Sequence, residues 1–360
     1  MGDILGLGIS HFPLLGAPDE HMSSILRYFL SDERIPARER DPANWPEKMR
    51  AEWGNDQGAT AAAGHRAALV RGMRKVRAAL DAFHPDVVVI WGDDQYENFK
   101  EDVIPAFCVY AYDSMEIRPW EHISSKSMAG RPNVWNETKE TARTIRGHQE
   151  AAKAIASGLI EESFDVAYAY KPLHYEGLAH AFLNAVLYLD YDRTGFEYPI
   201  IPIEINCYGR RLIAHSGTFK RHDVEIEPDP PSPSPGRCFD LGAAVARVCR
   251  RLPYRVALLA SSSWSHAFLV EKTHRLQPDV ASDRQLYDHL TRGELHAWRE
   301  VPLAAVEDSG QQELLNWFPL VGAMHELGCR LAWSEFIEAY VFTSDKVAAI
   351  FEQHPNGKAH

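Results

Sequence analysis

The chain has 360 residues, 45% hydrophobic and 24% charged, the balance of an ordinary soluble globular protein with ample material for a core. Its net charge of −12 argues against nucleic acid or another polyanion as partner. The apolar runs are too short for a membrane span, and the start "MGDILGLGISHF" lacks the basic flank of a signal peptide. Together with five scattered cysteines that form no CxxC pair, this points to a reducing cytoplasm.

In chain order, the first predicted element is the strand "ILGLGIS", which ends in Ser10-His11-Phe12-Pro13. Residues 17–63 follow as a polar, proline-punctuated insertion, read as short helices and loops and as a possible lid. In "AAGHRAALVRGMRKVRAALDAFHP", Leu69, Met73, Val76 and Leu80 recur at helical spacing. "DVVVIWGDDQ" then has four consecutive β-branched residues, as a strand covered on both faces requires.

Further strands are expected at 106–112, 165–170, 198–206 and 255–263. Helices fit "ETARTIRGHQEAAKAIASGLI", "LAHAFLNAVLYL", "DLGAAVARVCRRL" and the stretch around "QQELLNWFPLVGAMHELG". Residues 207–237 read as a proline-rich loop with a short hairpin. No composition break divides the chain, so the expectation is a single α/β domain over 1–360, with a central, mostly parallel sheet flanked by helices.

Ligands of such sheets gather beyond the carboxyl ends of the strands. There the chain presents His11, then Asp93, Asp94 and Gln95, and later His266. His65 opens the helix before "DVVVIWGDD" and faces the same edge, and Glu313 follows the turn Asp308-Ser309-Gly310. Two histidines and one carboxylate on one edge suit non-haem Fe(II) with open positions for oxygen chemistry.

"GISHFPLLG", "VVVIWGDDQYENFKEDVIPAFCVY", "RCFDLG", "LLASSSWSHAFL" and "SGQQELLNWFPLVGAM" resemble, in order, the signatures of class III extradiol ring-cleavage dioxygenases. This is the family of the protocatechuate 4,5-dioxygenase catalytic beta subunit, with the gallate and 3-O-methylgallate dioxygenases as the nearest branch. The resemblance implies an Fe(2+) cofactor held by His11 and Glu313, and His266 as the acid–base residue beside the substrate. It implies a catechol- or gallate-type substrate that meets O2 at the iron and is ring-opened, with proton transfer by a near-neutral histidine.

Two departures stand out. Where the family has histidine in "DH", this chain has Gln95, so the third donor is the Gln95 amide oxygen or His65, with Asp94 a lesser candidate. Asp93 and Asp94 can instead cap the following turn or hold a ligand. In "KPLHYEGLAHAF" the family's substrate-facing histidine falls on Glu176, or, with a shift, on His174, while His180 lies one helical turn beyond. His174 is the expected catalytic partner of His266, with Asp94, Glu176, His180 and Arg237 as substrate contacts. Arg237, in the "RC" motif, is a better carboxylate partner than Arg210 or Arg211. A homo-oligomer is the default assembly. The competing readings are an accessory family member without iron and a metal-dependent enzyme of different reaction on the same scaffold.

Overall fold

The unbroken run Val87–Ile90 forms the first half of a fully buried strand, and the rest of the sheet is assembled around it in a computed structural model. The structure describes residues 2–121, 132–174, 177–215 and 227–353. The strands are β1 (Ile4–Ile9), β2 (Val87–Asp93), β3 (Phe107–Tyr110), β4 (Ser114–Ile117) and β5 (Arg143–Arg146). They continue with β6 (Ala167–Ala169), β7 (Ile200–Ile205), β8 (Val256–Ser261), β9 (Cys329–Ile337) and β10 (Lys346–Gln353).

Eight strands form one sheet in the order β6-β3-β7-β2-β8-β1-β10-β9, and β4 pairs with β5 separately. The centre, β7-β2-β8-β1, is parallel throughout. β3 lies antiparallel to β7, and β10 lies antiparallel to β1. The carboxyl ends of β1, β2, β7 and β8 therefore share one edge with the beginning of β10.

Side chains alternate across β2, so its two faces feed different cores. Val87, Val89 and Trp91 pack in the core that includes α6 (Gln149–Glu161), α8 (Pro235–Arg251) and α11 (Trp317–Glu326). Val88 and Ile90 face the core built from α5 (Ala59–Phe83) and α7 (His180–Leu189). The result is the expected single α/β domain, a mostly parallel sheet between helical layers.

The 17–63 segment forms α1 (Asp19–Met22), α2 (Ser24–Leu30), α3 (Ala37–Arg40) and α4 (Glu47–Trp53) before α5 begins. It is tied to the loop before β10: Glu52 accepts the Val341 amide at 3.0 Å, and Lys48 pairs with Glu338 at 3.0 Å.

Three sequence expectations change. The helix expected over 140–160 starts only at Gln149, where His148 caps it by accepting from the Ala151 amide. Arg143–Arg146 is instead a strand paired with Ser114–Ile117, because its register buries Ile145, turns Arg143 onto Glu137 and leaves Thr144 and Arg146 outward. β9 and β10 were not expected, since "CRLAWSEFI" and "KVAAIFEQ" carry charges inside their runs. The 207–237 loop is shorter than read, with α8 starting at Pro235 on the Ser234 cap. Part of the expected hairpin lies outside the described residues.

Candidate metal centre

β1 delivers His11 two residues past its end, and β8, in register with it through Ile9 and Ser261, delivers the serine that holds that histidine. His11 Nδ1 lies 3.0 Å from Ser261 Oγ, which itself donates to the Ala181 carbonyl at 2.7 Å. The serine's hydrogen is thus spent, its oxygen accepts from Nδ1–H, and the Nε2 lone pair of His11 is left free.

His180 is oriented in the same manner. It is the first residue of α7, and its Nδ1 lies 3.0 Å from Glu97 Oε2, while its backbone amide also points at the Glu97 carboxylate. Its Nε2 approaches Asp93 Oδ2 at 3.9 Å, and the His11 and His180 rings meet edge to face, 5.0 Å apart. Ligand atoms of His11, Asp93 and His180 all lie within 4.8 Å of one another, as a group able to hold a metal ion must.

Glu313 enters from a 3-10 turn, Gln312–Asn316, that runs into α11. Two close contacts fix this turn. A Cβ on Gly8 of β1 would stand 2.3 Å from the Trp317 ring, so α11 reaches the sheet only where a side chain is missing. Gly310, at φ +69°, takes the left-handed turn and accepts the His266 amide at 2.8 Å. That bond sets His266 against Glu313, with Nε2 to Oε2 at 3.3 Å; His11 Nε2 stands 3.8 Å from the same oxygen.

Both carboxylates are half committed. Asp93 Oδ1 accepts from the Asn316 amide at 3.0 Å, and Glu313 Oε1 accepts from Tyr208 at 2.6 Å and Gln95 at 2.7 Å. Asp93 Oδ2, Glu313 Oε2 and His266 Nδ1 are buried with no hydrogen bond among the described residues. Buried polar atoms left without a partner are rare and costly. Two free carboxylate oxygens beside two imidazoles whose Nε2 atoms point at them are a donor set that fits a divalent cation once His180 releases its Nε2 proton.

The electrostatics agree. Burial, with His180 nearby, pushes His11 down to about 3, so its imidazole is neutral. Burial also lowers His266. For His180 burial would do the same, but Glu97 overrides it and raises the group to about 9. Burial, with Glu313 adding to it, holds Asp93 well above the usual carboxylate range; Glu313, surrounded by histidines, stays below its own despite burial. Burial keeps the Tyr208 phenol protonated far above neutral pH.

The other sequence candidates go elsewhere. Gln95 reaches Glu313 as a donor, through its NH2, rather than offering its oxygen as a ligand. Asp94 caps the turn after β2 by accepting from the Glu97 and Asn98 amides at 2.7 and 2.9 Å, the capping role that the sequence left open for it. His65 pairs with Glu52 at 3.3 Å and packs on Phe342, which separates it from Phe12 and the cluster. His174 is partly exposed and pairs with Asp102 at 2.8 Å, whereas His180, at the start of α7, reaches the sheet edge. Arg237 lies on the Phe164 ring at 3.8 Å and donates to the Ser163 carbonyl, away from the cluster. Arg210 and Arg211 pair with Glu307 and Glu271. Glu176 lies outside the described residues.

Sequence reasoning passed over Glu97, Ser261, Tyr208 and Lys346. Tyr208 carried a usable signal, since it follows β7 at the same edge. Lys346 carried none, because β10 was not recognised. It is fully buried at this edge, with Nζ 4.7 Å from the Phe12 ring centre and 2.6 Å from the Ser344 carbonyl.

Comparison with known proteins supplies the family context. The chain is 28% identical over 195 residues to a 2,3-dihydroxyphenylpropionate/2,3-dihydroxicinnamic acid 1,2-dioxygenase of Pseudomonas putida, covering 54% of this chain and 48% of that protein. Proteins of the same name from Paraburkholderia phymatum and Comamonas testosteroni are 26% identical over 197 residues and 27% identical over 205. These matches cover 54% and 57% of this chain, and 48% and 50% of the two proteins. Its homologues are extradiol dioxygenases of the class III type. The chain spans about half the length of the curated relatives it matches. No protein-family model matches it. The α/β architecture is compatible with the class III extradiol fold, and no helix among the described residues is long and apolar enough to cross a membrane.

Proposed function

We propose that the chain is an Fe(II)-dependent extradiol dioxygenase that opens the ring of a catecholic or gallate-like aromatic with O2. The observation that carries this reading is the convergence of His11 Nε2, His180 Nε2 and the unbonded oxygens of Glu313 and Asp93 at one buried sheet edge. In it, His11, His180 and Glu313 hold the iron, with Asp93 Oδ2 alongside. His180 takes the place that Gln95 and His65 disputed. The iron, when bound, supplies a Lewis acid that lowers the pKa of a phenolic hydroxyl and a centre able to handle O2.

The protein's own share is orientation and proton traffic. Ser261 and Glu97 each hold the Nδ1 of one imidazole, so both Nε2 atoms are aimed before any ion arrives, and His180, raised to about 9, gives up its Nε2 proton when one binds. His266, neutral because burial lowers its pKa, accepts the proton of a substrate hydroxyl and returns it as the ring opens. Segment 17–63, anchored through Glu52 and Lys48, serves as the lid. The protein works in the cytoplasm as a homo-oligomer. His174, Glu176 and Arg237 have no assigned part in this chemistry.

The test is anaerobic reconstitution with Fe(II), followed by catechol, protocatechuate, gallate, 3-O-methylgallate or 2,3-dihydroxyphenylpropionate and air. Oxygen uptake with a yellow or near-ultraviolet product on at least one diol is the expected result. A protein that takes up no iron and consumes no oxygen with any of them is the accessory member, and one that takes up iron without consuming oxygen runs another reaction.

A further inference from the structure

Gln95 stands where the sequence resemblance puts an iron-binding histidine, yet its amide nitrogen is turned onto Glu313. Glu313 Oε1 accepts two hydrogen bonds, from Gln95 Nε2 at 2.7 Å and from the Tyr208 hydroxyl at 2.6 Å, and Gln95 also donates to the Tyr208 oxygen. A carboxylate oxygen has two in-plane lone pairs, and two donors occupy both. Tyr208 and Glu313 are buried, so water does not compete for those positions. The other oxygen, Oε2, has no hydrogen bond and faces His11 and His266 at 3.8 and 3.3 Å. The two oxygens of one carboxylate are thus made different by their neighbours.

We propose that Gln95 and Tyr208 form a clamp that saturates Glu313 Oε1 and confines this carboxylate to one-oxygen binding of the metal, which keeps a position open for a diol that chelates through two oxygens. Both are positioning residues and act through Glu313. The inference rests on the metal-centre reading above and deepens it. Glu313 can turn its second oxygen to the metal only by breaking two hydrogen bonds, one of them from a buried hydroxyl whose hydrogen would be left without an acceptor. Gln95 is therefore a replacement that removes one ligand and disciplines another. A glutamine does this where a histidine could not, because its NH2 carries two hydrogens and reaches Glu313 and Tyr208 together.

The test compares the full chain with Tyr208→Phe, Gln95→Leu and the double variant, each stripped of metal and loaded with Zn(II) or Co(II), so that no turnover enters the readout. Catechol is titrated into the Zn(II) form by calorimetry, and the Co(II) ligand-field spectrum is recorded without catechol. We expect one ion per chain in all variants, with metal affinity lowered by no more than about 10- to 100-fold. The catechol dissociation constant should rise about tenfold or more in the double variant and less in each single one, and the Co(II) spectrum should shift before catechol is added. Unchanged catechol affinity and an unchanged Co(II) spectrum in the variants overturn the clamp while leaving the metal centre standing. Loss of the ion from either single variant also overturns it, because that marks a ligand or a scaffold residue. Tyr208→Phe removes one oxygen only, so it decides the matter if the double variant does not fold. A wild-type chain that binds neither ion overturns the metal-centre reading together with the clamp.

Discussion

Glu97 Oε2, buried at the mouth of the sheet, lies 3.0 Å from Nδ1 of the part-buried His180. A histidine whose Nδ1–H is held by a carboxylate has a fixed ring plane and a more basic Nε2, an arrangement typical of metal-binding imidazoles. Replacing Glu97 with Gln should lower metal affinity by roughly 10- to 100-fold without unfolding the protein. Competition of the apo-protein against a chromophoric chelator measures this. Undiminished affinity would remove His180 from the proposed ligand set.

The proposed ligands and the proposed acid–base residue should separate cleanly. Alanine at His11, His180 or Glu313 should abolish stoichiometric iron. His266→Ala should retain iron and diol binding but lose roughly 10²–10⁴-fold in ring-opening rate, the usual range for a positioned proton-transfer group. His65→Ala should retain both, because His65 Nε2 faces Glu52 at 3.3 Å and its ring packs on Phe342, outside the His11, Asp93 and His180 group. Iron analysis beside oxygen-electrode rates distinguishes the three patterns, and loss of iron in His65→Ala would contradict the assignment.

Gly8 is the contact through which α11 reaches β1. A methyl there would stand 2.3 Å from the Trp317 ring, and Trp317 follows directly on the turn that carries Glu313. Gly8→Ala should cost about 1–3 kcal/mol by overpacking. It should also weaken metal binding, since the displaced helix carries Glu313 and Asn316 with it. Denaturant titration and metal competition on one preparation test both, and a neutral substitution would mean the contact yields freely.

Acid stability has an identifiable contributor in Glu137. Burial would raise its pKa, but the Trp120 indole and the guanidinium groups of Arg193 and Arg143 hold it below the ordinary value. A carboxylate whose folded pKa is depressed stabilises the fold above its unfolded pKa, and this is lost as pH falls through the folded value. Glu137→Gln should therefore destabilise near neutral pH, by about 2 kcal/mol given partial exposure, and should flatten the acid limb below roughly pH 4.5. Thermal melts from pH 3 to pH 7 give the comparison; parallel curves for both proteins would refute it.

The parallel centre and the edge where chemistry gathers were legible in the sequence, because continuous β-branched runs ending in polar residues occur where a buried strand meets solvent; the strand order was not. His11, His266 and Glu313 were legible for the same reason: each lies within a few residues of a strand end or tight turn. The pairing of β10 with β1 was not, since its charges hide the run, and Lys346 stayed invisible with it.

Local pattern also could not choose among His65, Gln95, His174 and His180. That choice depends on which ring nitrogen or amide end a distant neighbour occupies. Glu97 claims one nitrogen of His180 across 83 positions of chain, and Glu313 claims the amide of Gln95 across 218. Residue type and spacing set which groups can donate, while the hydrogen bonds made on folding decide which lone pairs remain to be shared.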